Sequence, residues 1–335
     1  MAFTYEDAER HIEEATEEIF AGDPRVQSVG IGRSPEGGFC FRAVRNMRQV
    51  LPMSATLTAV SGVASYPVIY ADAFGEVQAS MRVPFSALTG SFVAEQQRMR
   101  PLVCGLQIQN FDHDARSGHV AQGLVTIGTL GCFVRLASGD LALLSNNHVI
   151  GAENVGRTGD RIAQAGGLTL TSGDEVAELD DFVPLQPSPV GVQPRNGIVA
   201  FNEVDAGLAR LSDGASQAQQ FLTMRGLPGL SGTARPKVGD KVFKVGRTTG
   251  LTWGTITDIA TSVGPVSYSV GSCWFRRSFT IEGVNGTMFS DRGDSGSIIV
   301  RTTGEVVGLL YAGNGTQTYA CPIQAVLSAL RCTLA

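Results

Sequence analysis

From residue 101 onward the chain breaks into short β-type runs divided by glycine-rich turns: "VTIGTLGCFVRL", "LALLSNNHVI", "DAGLARL", "KVFKVG", "TWGTITDI", "RRSFTIEG", "GSIIV" and "EVVGLLYAG". This texture restricts the fold most. Many short strands with frequent turn signals build a sandwich or barrels. Helical periodicity returns only at the end, where Pro322 opens "PIQAVLSALR" with Ile323, Val326, Leu327 and Leu330 on one face. Proline suits a first helical position because its missing N–H would have had no partner there. The stretch "ARPKVGDK" (234–241) reads as the junction between two β units.

Before residue 98 the pattern differs. Ala8, Ile12, Ala15 and Ile19 recur at helical spacing and predict a helix from Thr4 to Phe20, with Thr4 and Asp7 as a capping box and "GDP" (22–24) as its stop. The runs "VQSVGIG" (26–32), "FCFRAVR" (39–45) and "YPVIY" (66–70) predict short strands. The chain thus divides into a small α+β accessory domain (1–98), a first β-barrel or sandwich unit (99–232) and a second (233–335) that carries the C-terminal helix. The first domain contains no cluster of titratable groups with catalytic spacing. Its Arg42, Arg45 and Arg48 read as a solvated face or an intramolecular contact.

A net charge of −5 gives no electrostatic reason to expect nucleic acid or an acidic membrane surface. No apolar run approaches the length of a membrane span. The N-terminus "MAFTYEDAERHIEEATEEIF" is acidic and amphipathic, unlike a secretory signal, so the expected compartment is cytoplasmic. None of the six cysteines forms a C-x-x-C pair, which leaves zinc and redox motifs unsupported. Cysteines in apolar strand-like runs are expected as packed free thiols, with disulfides as the minor reading. No metal or cofactor is expected.

Chemistry is suggested by "GDSGS" (293–297). Alone this is good turn chemistry. A serine hydroxyl becomes a nucleophile only when a base takes its proton. Of the four histidines, His11 lies on the amphipathic helix, and His113 and His119 flank the loop "DARSG". His148 follows the apolar strand "LALL" in "LLSNNHVIG", where a strand end leading into a turn holds an imidazole still. Taken alone, a strand-end histidine satisfied by backbone is the blander reading. A carboxylate must orient the ring. Asp205, directly before the apolar "AGLARL", is awkward in a strand unless it has a partner, since burial of an unpaired carboxylate is costly. Asp174, Asp180 and Asp181 are its rivals, but they lie in the acidic stretch "SGDEVAELDDF", where solvation is the default.

His148 in "SNNHV", Asp205 in "VDAGLA" and Ser295 in "GDSGS" follow one another in the order of the chymotrypsin-like (trypsin-like) serine proteases, which the chain resembles from about residue 101 to its end. The finer texture, with "KVGRTTGLTWG" and the N-terminal "SVGIG", resembles the intracellular trypsin-like proteases of bacteria that include the plant narrow-leaf type. The resemblance implies two β-barrels with the site in the cleft between them, and a serine endopeptidase acting on protein or peptide. It implies Ser295 as nucleophile, His148 as general base and Asp205 as its orienting acid. The backbone N–H groups of Gly293 and Ser295 would form the oxyanion hole, and Gly296 would leave room behind the nucleophile. It places Phe289, rather than an acid, at the base of the primary pocket. Tyr311, Ala312 and Gly313 become the strand that pairs with extended substrate.

Two departures matter. Val149 stands where secreted relatives often have a cysteine, and no cleavable N-terminus is evident to pair with Asp294. The N-terminal domain is expected to regulate the protease. A regulatory protein partner and a homo-oligomer both stay open. "GRTTG" (246–250) lacks the ending of a phosphate loop and reads as a turn between strands. A catalytically silent peptide-binding scaffold on the same fold is the alternative. An esterase on an α/β-hydrolase fold fails, because serine would then come first in the order.

Overall fold

The computed structural model describes residues 3–48, 67–79, 82–87, 93–189, 194, 199–222 and 225–335. Two antiparallel-rich sheets dominate. One runs in the order Cys332–Leu334, Cys132–Leu136, Leu141–Ser145, Gly207–Leu211, Glu175–Phe182, Arg161–Ala163, Gln107–Asn110, Leu124–Thr129 and Arg82–Pro84. Its inward residues, among them Leu106, Ile108, Phe133, Leu143, Ile162, Val176 and Leu179, form one buried core. The acidic stretch expected to be solvated is largely strand: Val176, Ala177 and Leu179 are buried along Glu175–Phe182 while Glu178 stays exposed. Ala177 and Leu179 alternate with exposed Glu178, and Val176 is buried as well where the pairing register shifts.

The other sheet contains Gly271–Gly283, Gln317–Pro322, Val306–Gly313, Ile298–Arg301, Lys241–Gly246 and Gly250–Tyr268. Its longest feature is the hairpin of Gly250–Tyr268 with Gly271–Gly283, whose register shifts four times. Bulges of this kind bend and twist a hairpin. The bend carries its tip toward the first barrel, where Ser269 hydrogen-bonds Glu153 and Tyr268 packs in a core shared with Leu185, Val204 and Ala206. The C-terminal helix, Ile323–Ala329, follows Pro322 as expected, and the chain then returns to the first sheet as Cys332–Leu334.

The N-terminal helix spans Tyr5–Gly22, with the Thr4–Asp7 capping box formed in both directions. It lays Ala8, Ile12, Ala15, Ile19 and Phe20 on the strands Val26–Arg33 and Phe39–Asn46 and on Trp274 of the hairpin. Residues 1–98 are continuous with the rest. Val26–Arg33 pairs antiparallel with Gly250–Tyr268 (Ser28 opposite Val263), and Arg82–Pro84 pairs with Leu124–Thr129. Two of the three clustered arginines make intramolecular contacts: Arg42 bridges Asp258 and Glu282, each at 3.1 Å, and Arg45 pairs with Asp72 at 2.7 Å, while Arg48 is exposed. Among the described residues no helix is long and apolar enough to cross a membrane. All six cysteines are buried, unpaired thiols.

Candidate active site

Strand register brings His148 and Asp205 together. Leu141–Ser145 and Gly207–Leu211 are antiparallel neighbours with Ser145 opposite Gly207, so the residues just after one strand face those just before the other. His148 lies in the tight turn Asn147–Gly151. Asn147 fixes that turn by donating to the carbonyl of Val183 at 2.7 Å and to Asn154 Oδ1 at 2.8 Å. Asn146 donates to the Asp205 carbonyl at 2.7 Å. His148 Nδ1 is 2.5 Å from Asp205 Oδ2, and the His148 backbone N–H donates to Oδ1 at 3.2 Å. Both residues are buried, Asp205 completely. The Tyr268 hydroxyl, from the hairpin tip, donates to the same Oδ2 at 2.9 Å. Burial and the Asp205 charge push that hydroxyl far above its ordinary value, so it remains a donor. The other ring nitrogen, His148 Nε2, is buried and has no hydrogen-bond partner among the described residues.

The rival acids lie elsewhere. Asp174 binds Arg98 and Thr171, Asp180 binds Arg210, and Asp181 accepts from the N–H of Phe182. His113, Asp114 and His119 bring potential ligand atoms within 4.8 Å of one another. The Asp114 oxygens already accept from Gln109, from the Thr126 N–H and from His119, at 2.7 to 3.0 Å, so the group is a hydrogen-bond cluster holding a loop.

Ser295 sits in the turn before Ile298–Arg301, flanked by Gly293 and Gly296 at φ +97° and +92°. A side chain at Gly296 is doubly excluded. Its backbone is left-handed, and a Cβ would meet the Thr129 carbonyl at 2.2 Å and Ser145 Oγ at 2.3 Å. The turn is therefore pressed against the end of the strand that leads to His148. Thr129 of the first barrel grips it: its N–H donates to the Ser295 carbonyl at 2.8 Å and its hydroxyl to the Gly293 carbonyl at 2.9 Å. The N–H groups of Gly293 and Ser295 have no acceptor among the described residues. The Ser295 hydroxyl donates to the Ala79 carbonyl at 3.1 Å, with the Tyr311 carbonyl at 3.4 Å.

Asp294, fully buried, has an internal cation. Lys244 Nζ, equally buried, lies 3.2 Å from its Oδ2. The N–H groups of Thr248 and Thr249, the Thr249 hydroxyl and the Asp291 N–H add bonds of 2.6 to 3.1 Å. "GRTTG" is thus a turn between strands whose amides hold a carboxylate of the chain itself. Burial pulls the Lys244 ammonium below its ordinary value, and the Asp294 charge opposes that pull.

A cavity of about 800 Å³ opens beside Ser295, lined in part by Gln78, Ala79, Ser290, Ala312 and Gly313. The structure does not bring Phe289 to it. That ring is buried among Ile256, Phe279, Ile281 and Ile299, because an apolar side chain alternating with Ser290 takes the core side. The Tyr311 ring is also in the core, 4.4 Å from Phe275 with its hydroxyl on Ser278, and only its backbone carbonyl faces Ser295. Sequence reasoning missed Tyr268, Lys244 and Thr129. Only Lys244 left a trace, as one of three lysines and the one inside the apolar "KVFKVG".

The architecture is the chymotrypsin-like double β-barrel. Residues 229–320 match the family described as the Nal1 C-terminal domain. That span contains Lys244, Ser295 and Gly313 but neither His148 nor Asp205. No curated protein matches the chain. Among solved structures it is similar to a Nocardiopsis protease, at 17% identity and TM-score 0.47 over 70% of this chain and 98% of that one. A glutamic-acid-specific serine protease is similar at 19% and 0.46, over 70% and 100%. Cellulomonas bogoriensis chymotrypsin is similar at 20% and 0.42, over 62% and 90%.

Proposed function

We propose that the chain is a cytoplasmic serine endopeptidase that cleaves extended protein or peptide substrates with a His148–Asp205–Ser295 triad. The observation that carries this reading is the buried His148–Asp205 pair with Nε2 left unpartnered. A buried ring nitrogen without a partner costs free energy, which a purely structural histidine has no reason to incur. In this reading Ser295 Oγ attacks the scissile carbonyl and its proton passes to Nε2. Asp205 holds the Nδ1–H tautomer and stabilises the imidazolium. The developing oxyanion takes the N–H groups of Gly293 and Ser295, aimed in advance by two left-handed glycines. His148 then returns the proton to the leaving amine. Residues 1–98 supply no reacting group and regulate access.

One observation favours the second reading, a silent peptide-binding scaffold: the Ser295 hydroxyl is bonded to backbone carbonyls and not to His148. A fluorophosphonate probe separates the two. Wild-type protein should be labelled at Ser295, however slowly, and Ser295→Ala and His148→Ala should abolish the label. Equal labelling of all three, or none in any form of the protein, favours the scaffold.

A further inference from the structure

The strand Val306–Gly313 offers Gly313 to an extended partner, and the chain has placed a segment of its own there. The Gln78 N–H donates to the Gly313 carbonyl at 3.0 Å, and the Gly313 N–H donates back to the Gln78 carbonyl at 3.1 Å. This is an antiparallel bridge with both bonds made. Gln78 also bridges Ser267 of the hairpin, so the segment lies between two strands. One residue on, the Ala79 carbonyl accepts the Ser295 hydroxyl at 3.1 Å. Val77 and Ala79 are almost wholly buried.

The segment is anchored from behind. Gln27 donates to the Gly75 carbonyl at 2.9 Å, and Asn314 donates to Gln27 at 3.2 Å. Gly75 passes so close to the Asn314 backbone that a Cβ would sit 2.3 Å from its carbonyl oxygen. Only glycine allows that approach. These contacts belong to a strand-addition site, where main-chain bonds supply affinity and buried side chains supply selection.

We infer that Gly75–Ala79 is a built-in competitor of the peptide substrate, holding the substrate's place on Gly313 and keeping the Ser295 hydroxyl turned to its own backbone. The inference rests on the peptidase reading for its catalytic consequence but not for the occupancy itself. A peptide gains the cleft by displacing this segment, and displacement frees the hydroxyl to turn toward His148. The peptide class favoured has an extended backbone at Gly313 and small apolar side chains where Val77 and Ala79 are buried.

Two variants of the full chain test it. Gln78→Pro removes the N–H that binds Gly313. Gly75→Val drives a side chain into the Asn314 backbone. Each is examined by thermal melting, by hydrogen exchange at the Gly313 amide and by the rate of fluorophosphonate labelling. The expected result, in whichever variant keeps a cooperative melt, is loss of Gly313 protection and labelling at least tenfold faster than wild type. Added peptide Gly-Glu-Val-Gln-Ala should restore protection and slow labelling. Unchanged protection with unchanged labelling overturns the inference, as does collapse of the melt in both variants, which would make the segment structural. Lost protection with no labelling overturns the peptidase reading and leaves the occupancy standing.

Discussion

His148 lies three residues past Ser145 and Asp205 two before Gly207, and Ser145 and Gly207 are opposite one another at the ends of adjacent strands in one sheet. Ser295 is held quite differently. Its turn depends on Thr129 from the other barrel, on the Lys244–Asp294 pair beneath it, and on Ala79 from the N-terminal region for the direction of its hydroxyl. One half of the cleft is set mainly by the register of two adjacent strands, with only the Tyr268 hydroxyl reaching in from the other sheet and His148 Nε2 left unpartnered, and the other is assembled from distant parts of the chain. Control is therefore easier to exert on the Ser295 half, because contacts made by separate elements can be broken separately.

The sharpest way to break this comparison is at the local half. Asp205→Asn keeps the shape but disfavours the Nδ1–H tautomer, and turnover should fall by roughly 10⁴, the scale of a wrong tautomer. Measured on the Gln78→Pro background, where the cleft is open, the loss should be undiminished, since the acid acts downstream of access. A loss below tenfold there, with Asp180→Asn or Asp181→Asn causing the larger one, would remove Asp205 from the mechanism.

The second break is at the Ser295 half. Lys244→Met leaves Asp294 charged and buried without its cation, which costs about 3–5 kcal/mol when one partner of a buried pair is removed. The loss should appear in urea unfolding, with slowed probe labelling because the Gly293–Ser295 turn loses its floor. The double variant Lys244→Met/Asp294→Asn should recover most of the stability, since replacing both charges removes the desolvation cost. If the double variant is as unstable as the single one, the pair is not what fixes this turn.

The contrast also explains which features the amino-acid sequence makes legible. The pairing of His148 with Asp205 and the glycine-flanked turn at Ser295 could be anticipated because each of these residues stands in a short motif, and strand patterning exposed the two β units. Tyr268 and Thr129 were illegible because their roles depend on where a bulged hairpin tip and an inter-barrel contact place them, and neither leaves a local signature. Phe289 shows the opposite failure. A position inferred by counting back from Ser295 landed on the core side of the chain, and one residue of alternation separates the core from the cavity. The occupancy of Gly313 by Gln78 was hidden for a further reason: 235 residues of sequence separate partners joined by two backbone bonds, and backbone bonds carry no residue code.

The last test sharpens the comparison at the seam between the N-terminal strands and the hairpin. Asp258, buried on the hairpin, has its carboxyl pushed up to about 6 by burial, against the pull of Arg42 and the Thr257 hydroxyl and with the Glu282 charge adding to the rise. Its ordinary value is 3.8. A raised acid in the folded state means that the native protein binds the proton more tightly than the unfolded chain. The associated stability is fully present below about pH 4, declines as pH rises, and is gone above about 6. Wild-type protein should therefore lose on the order of 3 kcal/mol from this group across that window. Asp258→Asn should remove that part of the slope, while Arg42 keeps Glu282 as its partner. The check is urea unfolding from pH 4 to 7 on both proteins. Parallel curves would show that Asp258 stays ionised beside Arg42 throughout, and that the seam is held by an ion pair insensitive to pH in this range.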